Sequence, residues 1–118
     1  MLATSAYKVN DMKGIDLPTS LAHRLTELFP SFATELQGEE ITSYHQVVLR
    51  LTPVVTEYLH KASAQTVEEF CQMINAMVGG GGQRENAIST CLLEHASQIN
   101  IVAIIRPHLS GAAKRELR

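Results

Sequence analysis

Apolar residues recur at helical spacing in short segments along this chain, and that periodicity constrains the fold more than any other feature. Leu21, Leu25 and Leu28 repeat at intervals of three and four residues, as on the buried face of a helix. The longest periodic segment begins at Ser43, a good N-cap residue. Pro53 lies within it, so we expect a kink or a break into two helices there.

Two more helices are predicted on either side of four consecutive glycines, residues 79–82. Thr66 and Glu69 match a capping box in which the threonine is the N-cap of the first of these helices. Its apolar stripe ends at the glycines, and we expect the next helix to begin at Arg84 or Glu85.

Residues 100–105 form the only plausible strand, because isoleucine and valine favour extended structure. No second strand is available to pair with it, so a buried helix that Pro107 ends or kinks is favoured. A chain of 118 residues can bury a core of its own as one domain. We therefore predict an all-α fold, a compact single-domain bundle of five to seven short helices over residues 16–118, after an irregular lead-in over residues 1–15.

Charge is distributed unevenly along the chain. Residues 14–105 contain ten acidic and four basic residues, a net charge of −6, whereas residues 106–118 have a net charge of +3. An acidic body repels nucleic acid and attracts basic partners. The short basic tail is typical of a last helical turn, where cations complement the helix dipole.

No catalytic or metal-binding motif is present. The five histidines and two cysteines form no HxxxH, HExxH or CxxC spacing, and there is no GxSxG. Gln83-Arg84-Glu85 follows the four glycines where a P-loop would need lysine and a hydroxyl residue. The only densely basic helix is about two turns long, too short for a recognition helix. We therefore expect no enzymatic activity, no cofactor, no metal and no nucleic-acid partner.

Apolar segments and cysteines indicate where the protein is located in the cell. The N-terminal residues have no apolar stretch of signal-peptide length, and no apolar run approaches the roughly 20 residues that cross a membrane. Cys71 and Cys91 fall on apolar helix faces, so we expect buried free thiols rather than a disulfide. These features predict a cytoplasmic protein without a membrane partner.

An acidic band, defined here as residues 27–69, contains seven acidic and two basic residues. Such a band is either an ordinary solvated helix surface or a docking face for a basic protein. Charge across an interface mainly accelerates encounter and selects the partner. A docking face would therefore suit a protein that must capture its target quickly.

Two segments in the last third of the chain resemble a small helical bacterial family. They are residues 86–94, with the sequence Asn-Ala-Ile-Ser-Thr-Cys-Leu-Leu-Glu, and residues 105–109, Ile-Arg-Pro-His-Leu, which precede Leu117 and Arg118. Members of that family pair an apolar helix with Leu-Glu near its end and an Arg-Pro-x-Leu motif before a basic terminus. The family comprises immunity proteins encoded beside polymorphic toxins, including those of contact-dependent growth inhibition systems. Within it, this chain resembles the all-helical inhibitor of a ribonuclease A-like toxin.

The resemblance implies an immunity protein that binds one cognate, basic toxin domain, a nuclease, in a one-to-one complex and covers its active site. By charge and expected exposure, the candidate contact residues are Glu35, Glu39, Glu40, Glu57, Glu68 and Glu69, with Tyr44 as an aromatic anchor. The alternative is a helical adaptor or regulatory subunit that holds a partner helix in an apolar groove.

Overall fold

The computed structural model describes residues 15–118, so the predicted lead-in, apart from Ile15, lies outside the described residues. This part of the chain forms seven α-helices and three 3₁₀ segments, and none of it is β-strand. The helices are α1 (Pro18–Leu28), α2 (Phe32–Leu36), α3 (Tyr44–Tyr58), α4 (Ala64–Gly79), α5 (Gly82–Cys91), α6 (Val102–Ile105) and α7 (Gly111–Glu116). The 3₁₀ segments are Leu59–Lys61, Leu93–His95 and Arg106–His108.

The predicted all-α, single-domain bundle is confirmed. Its Cα radius of gyration is 13.3 Å, close to the value of about 14 Å expected for a compact chain of this length. Among residues 15–118, no helix is both long enough and apolar enough to cross a membrane.

Helices α4 and α5 organise the packing. Helix α5 lies against both α3 and α4, while α1 contacts α3 and α4 at another side of the bundle. Helices α6 and α7 pack on α4 and complete the core. The centre of that core is fully apolar; Phe29 meets Phe70 edge-to-face, with ring centroids 5.3 Å apart.

Helix α3 continues through Pro53, so of the two expected outcomes, a kink or a break into two helices, the break is wrong. Proline removes the hydrogen bond to the carbonyl four residues earlier, that of Leu49. Both Pro53 and Leu49 are exposed, so water can reach the freed carbonyl. The opposite face of α3 buries Val47, Leu51 and Val54, and this burial holds the helix together across the proline.

The start of α4 differs from the predicted capping box. The N-cap is Ser63, whose side chain accepts a hydrogen bond from the Thr66 N–H at 3.1 Å. Thr66 therefore lies inside the first turn, and Glu69 accepts from Gln65 instead of capping the helix. The prediction at Ser43 is confirmed by the same geometry, because its hydroxyl accepts from the Gln46 N–H.

The four glycines make a sharp turn between α4 and α5. Helix α5 begins at Gly82, two residues before the earlier of the two predicted starts. Gly81 and Gly82 have φ values of +68° and +63°, a region that favours glycine because it has no Cβ. The turn therefore reverses the chain within a few residues and brings α5 back along α4.

The C-terminal segment is fixed at both ends of α7. Residues 102–105 are helical, as favoured, and Pro107 follows in a 3₁₀ segment. At the start of α7, the Asn75 side chain accepts from the Ser110 N–H at 2.9 Å and donates to the His108 carbonyl. Beyond its end, the Arg118 N–H donates to the Leu93 carbonyl at 2.9 Å. Helix α7 is thus held beside the segment that follows α5.

The two cysteines are free and differ in exposure. Cys71 is fully buried in α4, as predicted, whereas Cys91 is only half-buried at the end of α5. Burial raises the pKa of the Cys71 thiol to about 12. The Cys71 Sγ also lies 3.7 Å from the Ile105 carbonyl oxygen.

We predict that iodoacetamide at pH 8 alkylates Cys71 at least about tenfold more slowly than Cys91, because the thiolate is the reactive form and the Cys71 thiol is both protonated and shielded. Mass spectrometry of the native protein over time measures the two rates. Both cysteines should react readily in denaturant. Equal rates in the native protein would contradict the burial of Cys71.

Candidate functional site

Glu39 is already engaged within the protein. Its Oε2 lies 2.8 Å from the Arg50 Nε, and its Oε1 accepts from the Gln46 Nε2 at 3.1 Å. The Gln46 hydrogen bond and then the Arg50 guanidinium lower the pKa of the Glu39 carboxyl. Because Gln46 also donates to the Glu40 carbonyl, these bonds fasten the loop after α2 onto α3. Glu39 is therefore primarily a structural residue.

The other predicted acidic contacts divide by whether they have a partner. Glu69 is half-buried and accepts from the Gln65 Nε2 at 2.9 Å. The remaining carboxylates are exposed and have no hydrogen bond or ion pair among residues 15–118; they are Glu35, Glu40, Glu57 and Glu68. The four lie on α2, the loop after it, the end of α3 and the start of α4. They present unpaired charge to solvent from several segments.

Tyr44, predicted to be an aromatic anchor for a partner, lies inside the protein. Its side chain is buried, at 9% exposure, and its hydroxyl donates to the Ile15 carbonyl at 3.1 Å. Burial is the main cause that raises the pKa of the Tyr44 phenol. Tyr44 therefore ties Ile15 to α3 and offers a partner little surface.

A second group of carboxylates, which the linear charge pattern did not reveal, lines a cleft of about 290 Å³. We call this the acidic cleft. It lies between α5, the segment after it and α7, and its lining residues are Gly82, Glu85, Asn86, Ser89, Thr90, Glu94 and Glu116. In the described part of the chain, none of its three carboxylates has a hydrogen bond or an ion pair. The cleft therefore concentrates three formal negative charges without a compensating cation.

Tertiary structure brings these carboxylates together. Glu85 and Ser89 are four residues apart on α5 and share one of its faces. Glu116 ends α7, which the Arg118–Leu93 backbone bond holds beside the segment containing Glu94. Helical spacing could have paired Glu85 with Ser89. No local signal, however, connects them with Glu116, which lies among the basic residues of the tail.

Ser89 is the unusual residue of the acidic cleft. It is 5% exposed, and its Oγ is the buried side-chain oxygen or nitrogen that lacks a partner among residues 15–118. The neighbouring Thr90 hydroxyl donates to the Asn86 carbonyl at 2.7 Å, as hydroxyls within helices commonly do. Buried polar groups are nearly always hydrogen-bonded, so an unpartnered hydroxyl on a residue that lines a charged cleft points to a ligand.

The three carboxylates of the acidic cleft do not converge on one point. Within the described range, no three His, Cys, Asp or Glu side chains converge closely enough to hold one metal ion. The cleft instead offers separated negative charges around a hydroxyl, an arrangement that suits an extended organic cation with several N–H donors.

An apolar cleft of about 290 Å³ lies elsewhere, between the end of α1 and the turn after α3. Its lining residues are Leu28, Phe29, Pro30, Ser31, Tyr58, Lys61, Ala62 and Thr66. Tyr58 is 38% exposed, and the Lys61 Nζ lies 5.8 Å from the centroid of its ring. This surface combines exposed aromatic area with one cation.

Comparisons of the chain with family models, curated proteins and solved structures gave no match.

We predict that Ser89→Ala raises the free energy of unfolding by about 1 kcal/mol, because it removes a buried hydroxyl that has no partner. Urea unfolding measures the change. Thr90→Ala is the matched control, since it gains similar helix propensity but loses a hydroxyl that is already bonded. It should stabilise the protein less than Ser89→Ala, and the reverse order would contradict an unpartnered Ser89.

We also predict that Glu39→Gln lowers the melting temperature at pH 7, because it removes an ion pair that holds the loop after α2. A carboxyl whose pKa is lowered on folding stabilises the protein above its unfolded pKa, near 4.5, and loses that contribution as pH falls through its folded value. The difference between variant and wild type should therefore shrink below pH 4.5. Glu40→Gln, which changes an unpaired neighbour, should leave the melting curve unchanged at every pH.

Proposed function

We propose that this chain is an immunity protein, which binds one basic toxin domain in the cytoplasm and covers its active site without catalysing a reaction itself. The observation that supports this proposal is the number of carboxylates that the fold leaves unpaired. Among residues 15–118 they include four in the acidic band and three in the acidic cleft, namely Glu35, Glu40, Glu57, Glu68, Glu85, Glu94 and Glu116.

A nuclease toxin is the target class that suits such a surface. An enzyme that binds a phosphate backbone needs cations around its active cleft. Unpaired carboxylates on an inhibitor can meet those cations and exclude the substrate in the same contact. They also steer the encounter, which matters for an inhibitor that must act before its target cleaves cellular nucleic acid.

The size of the protein is compatible with an interface of ordinary dimensions. A standard protein–protein interface covers about 800 Å² on each partner. The accessible surface of this protein is 6502 Å², so such an interface would occupy about an eighth of it. One footprint would therefore engage only some of the unpaired carboxylates.

The apolar cleft favours a second function, that of a helical adaptor. Tyr58 and the adjoining Leu28 and Pro30 offer an exposed apolar surface on which one face of a partner helix could lie. If the protein is such an adaptor, its affinity for the partner helix depends on the apolar area buried between them and responds little to salt concentration. Tyr58→Ala should then weaken binding mainly by accelerating dissociation, whereas reversing the surface acids should have little effect.

The proposal is tested by capturing the partner with tagged protein from lysate of the native strain. Mass spectrometry identifies the partner and its stoichiometry. The result expected is a basic domain with ribonuclease activity, bound one-to-one. Capture of a metabolic enzyme, or of nothing, would contradict the immunity function and favour the adaptor.

We predict that the double variant Glu57→Lys/Glu68→Lys lowers the association rate with that partner by about tenfold at low ionic strength, because charge steers the encounter. Surface plasmon resonance at several salt concentrations measures the rate. The effect should diminish at high salt, where exposed charges are screened. The matched control, Glu57→Asp/Glu68→Asp, preserves charge and should bind as the wild type does. A reduction that persists unchanged at high salt would contradict steering.

A further inference from the structure

We propose that the acidic cleft is a binding site for one guanidinium group, supplied by an arginine side chain of the protein partner. The inference rests on the proposed function only for the source of that arginine. The recognition of a guanidinium follows from the cleft itself. Neither the resemblance nor the acidic band points to this site, since it is assembled from α5, the segment after it and the end of α7.

The charge of the cleft selects a cation. Glu85, Glu94 and Glu116 line it together, and within the described residues none of them is paired. Basic residues of the same tail do not neutralise them: no ion pair joins Lys114 or Arg115 to these carboxylates among residues 15–118. The cleft thus keeps its negative charge available to a ligand from outside.

The Ser89 hydroxyl distinguishes this cleft from an ordinary cluster of surface acids. Its oxygen is buried and has no partner in the described structure, although the residue lines the cleft. That oxygen has less than 1 Å² of accessible surface, so the Ser89 side chain must rotate toward the cleft before a ligand N–H can satisfy it. A ligand that carries positive charge and several N–H donors would satisfy the hydroxyl and the carboxylates at once.

A guanidinium meets this requirement better than an ammonium ion or a metal. It carries five N–H donors in a planar fork that matches carboxylate geometry, and it is more weakly hydrated than an ammonium. A metal ion would need ligands that converge, and no such group occurs in residues 15–118. The volume of about 290 Å³ lies at the lower limit of the roughly 300–1,000 Å³ of small-molecule sites. It therefore suits one side chain.

The test titrates the ¹⁵N-labelled full chain with N-acetyl-arginine methylamide and follows backbone amides by NMR. The neutral citrulline analogue, which has nearly the same shape, and the lysine analogue are the controls. We expect saturable shifts confined to the amides around Ser89, Glu94 and Glu116 with the arginine probe. The lysine probe should bind more weakly and the citrulline probe should not bind. Shifts elsewhere, equal binding of citrulline, or tighter binding of lysine or spermidine would overturn the assignment.

Variants locate the site within the cleft. Ser89→Ala and Glu116→Gln should each weaken binding of the arginine probe by about threefold to tenfold, the range expected for losing one hydrogen bond. Glu27→Gln removes an exposed acid outside the cleft and should leave the affinity unchanged. Because Ser89→Ala is expected to fold more stably than wild type, a loss of binding would not reflect unfolding. Wild-type affinity in both cleft variants would overturn the proposal.

The outcomes separate this inference from the proposed function. If the arginine probe binds in the cleft but the captured partner is not a toxin, the site stands and the immunity function fails. If a toxin is neutralised and the Glu116→Gln variant inhibits it as tightly as the wild type does, the immunity function stands. The proposal that an arginine of the partner occupies the acidic cleft is then wrong.

Discussion

Burial of helix α4 is the constraint on which the rest of the structure depends. Phe70, Cys71, Ile74 and Met77 are fully buried along it, and burying side chains of this size contributes about 1.5–3 kcal/mol each for the larger apolar ones. Helices α1, α5, α6 and α7 all pack against α4, so their positions follow from its burial. The acidic cleft is a consequence, because α4 packs against both α5 and α7, whose residues line it.

The fold separates carboxylates that serve the structure from carboxylates that it leaves free. Glu39 and Glu69 accept hydrogen bonds from side chains close in sequence, and Glu39 fastens a loop. Within residues 15–118, Glu35, Glu40, Glu57 and Glu68 and the three carboxylates of the acidic cleft have no hydrogen bond or ion pair. An excess of unpaired negative charge contributes nothing to packing and favours basic partners, which is why we interpret it as functional surface.

Helical periodicity was sufficient to predict the fold class, since apolar spacing and its proline and glycine boundaries are local signals. It misplaced the start of α4 because Ser63 and Thr66 are both good caps, and packing decides between them. It also predicted a kink or a break at Pro53, and no break occurs because the lost hydrogen bond faces water. The acidic cleft escaped prediction for a different reason: Glu116 lies in a basic segment, and only tertiary contacts bring it near Glu85 and Glu94. Likewise, the hydroxyl of the buried Tyr44 bonds to Ile15, which is far away in sequence.

An immunity protein of the kind proposed neutralises its partner by occupying the partner's active site. The most direct measurement titrates the protein into a fixed amount of the purified partner, well above the dissociation constant, while ribonuclease activity is followed. We expect the activity to fall linearly and to reach zero at one molar equivalent. A complex that forms at one equivalent but leaves the ribonuclease fully active would contradict it.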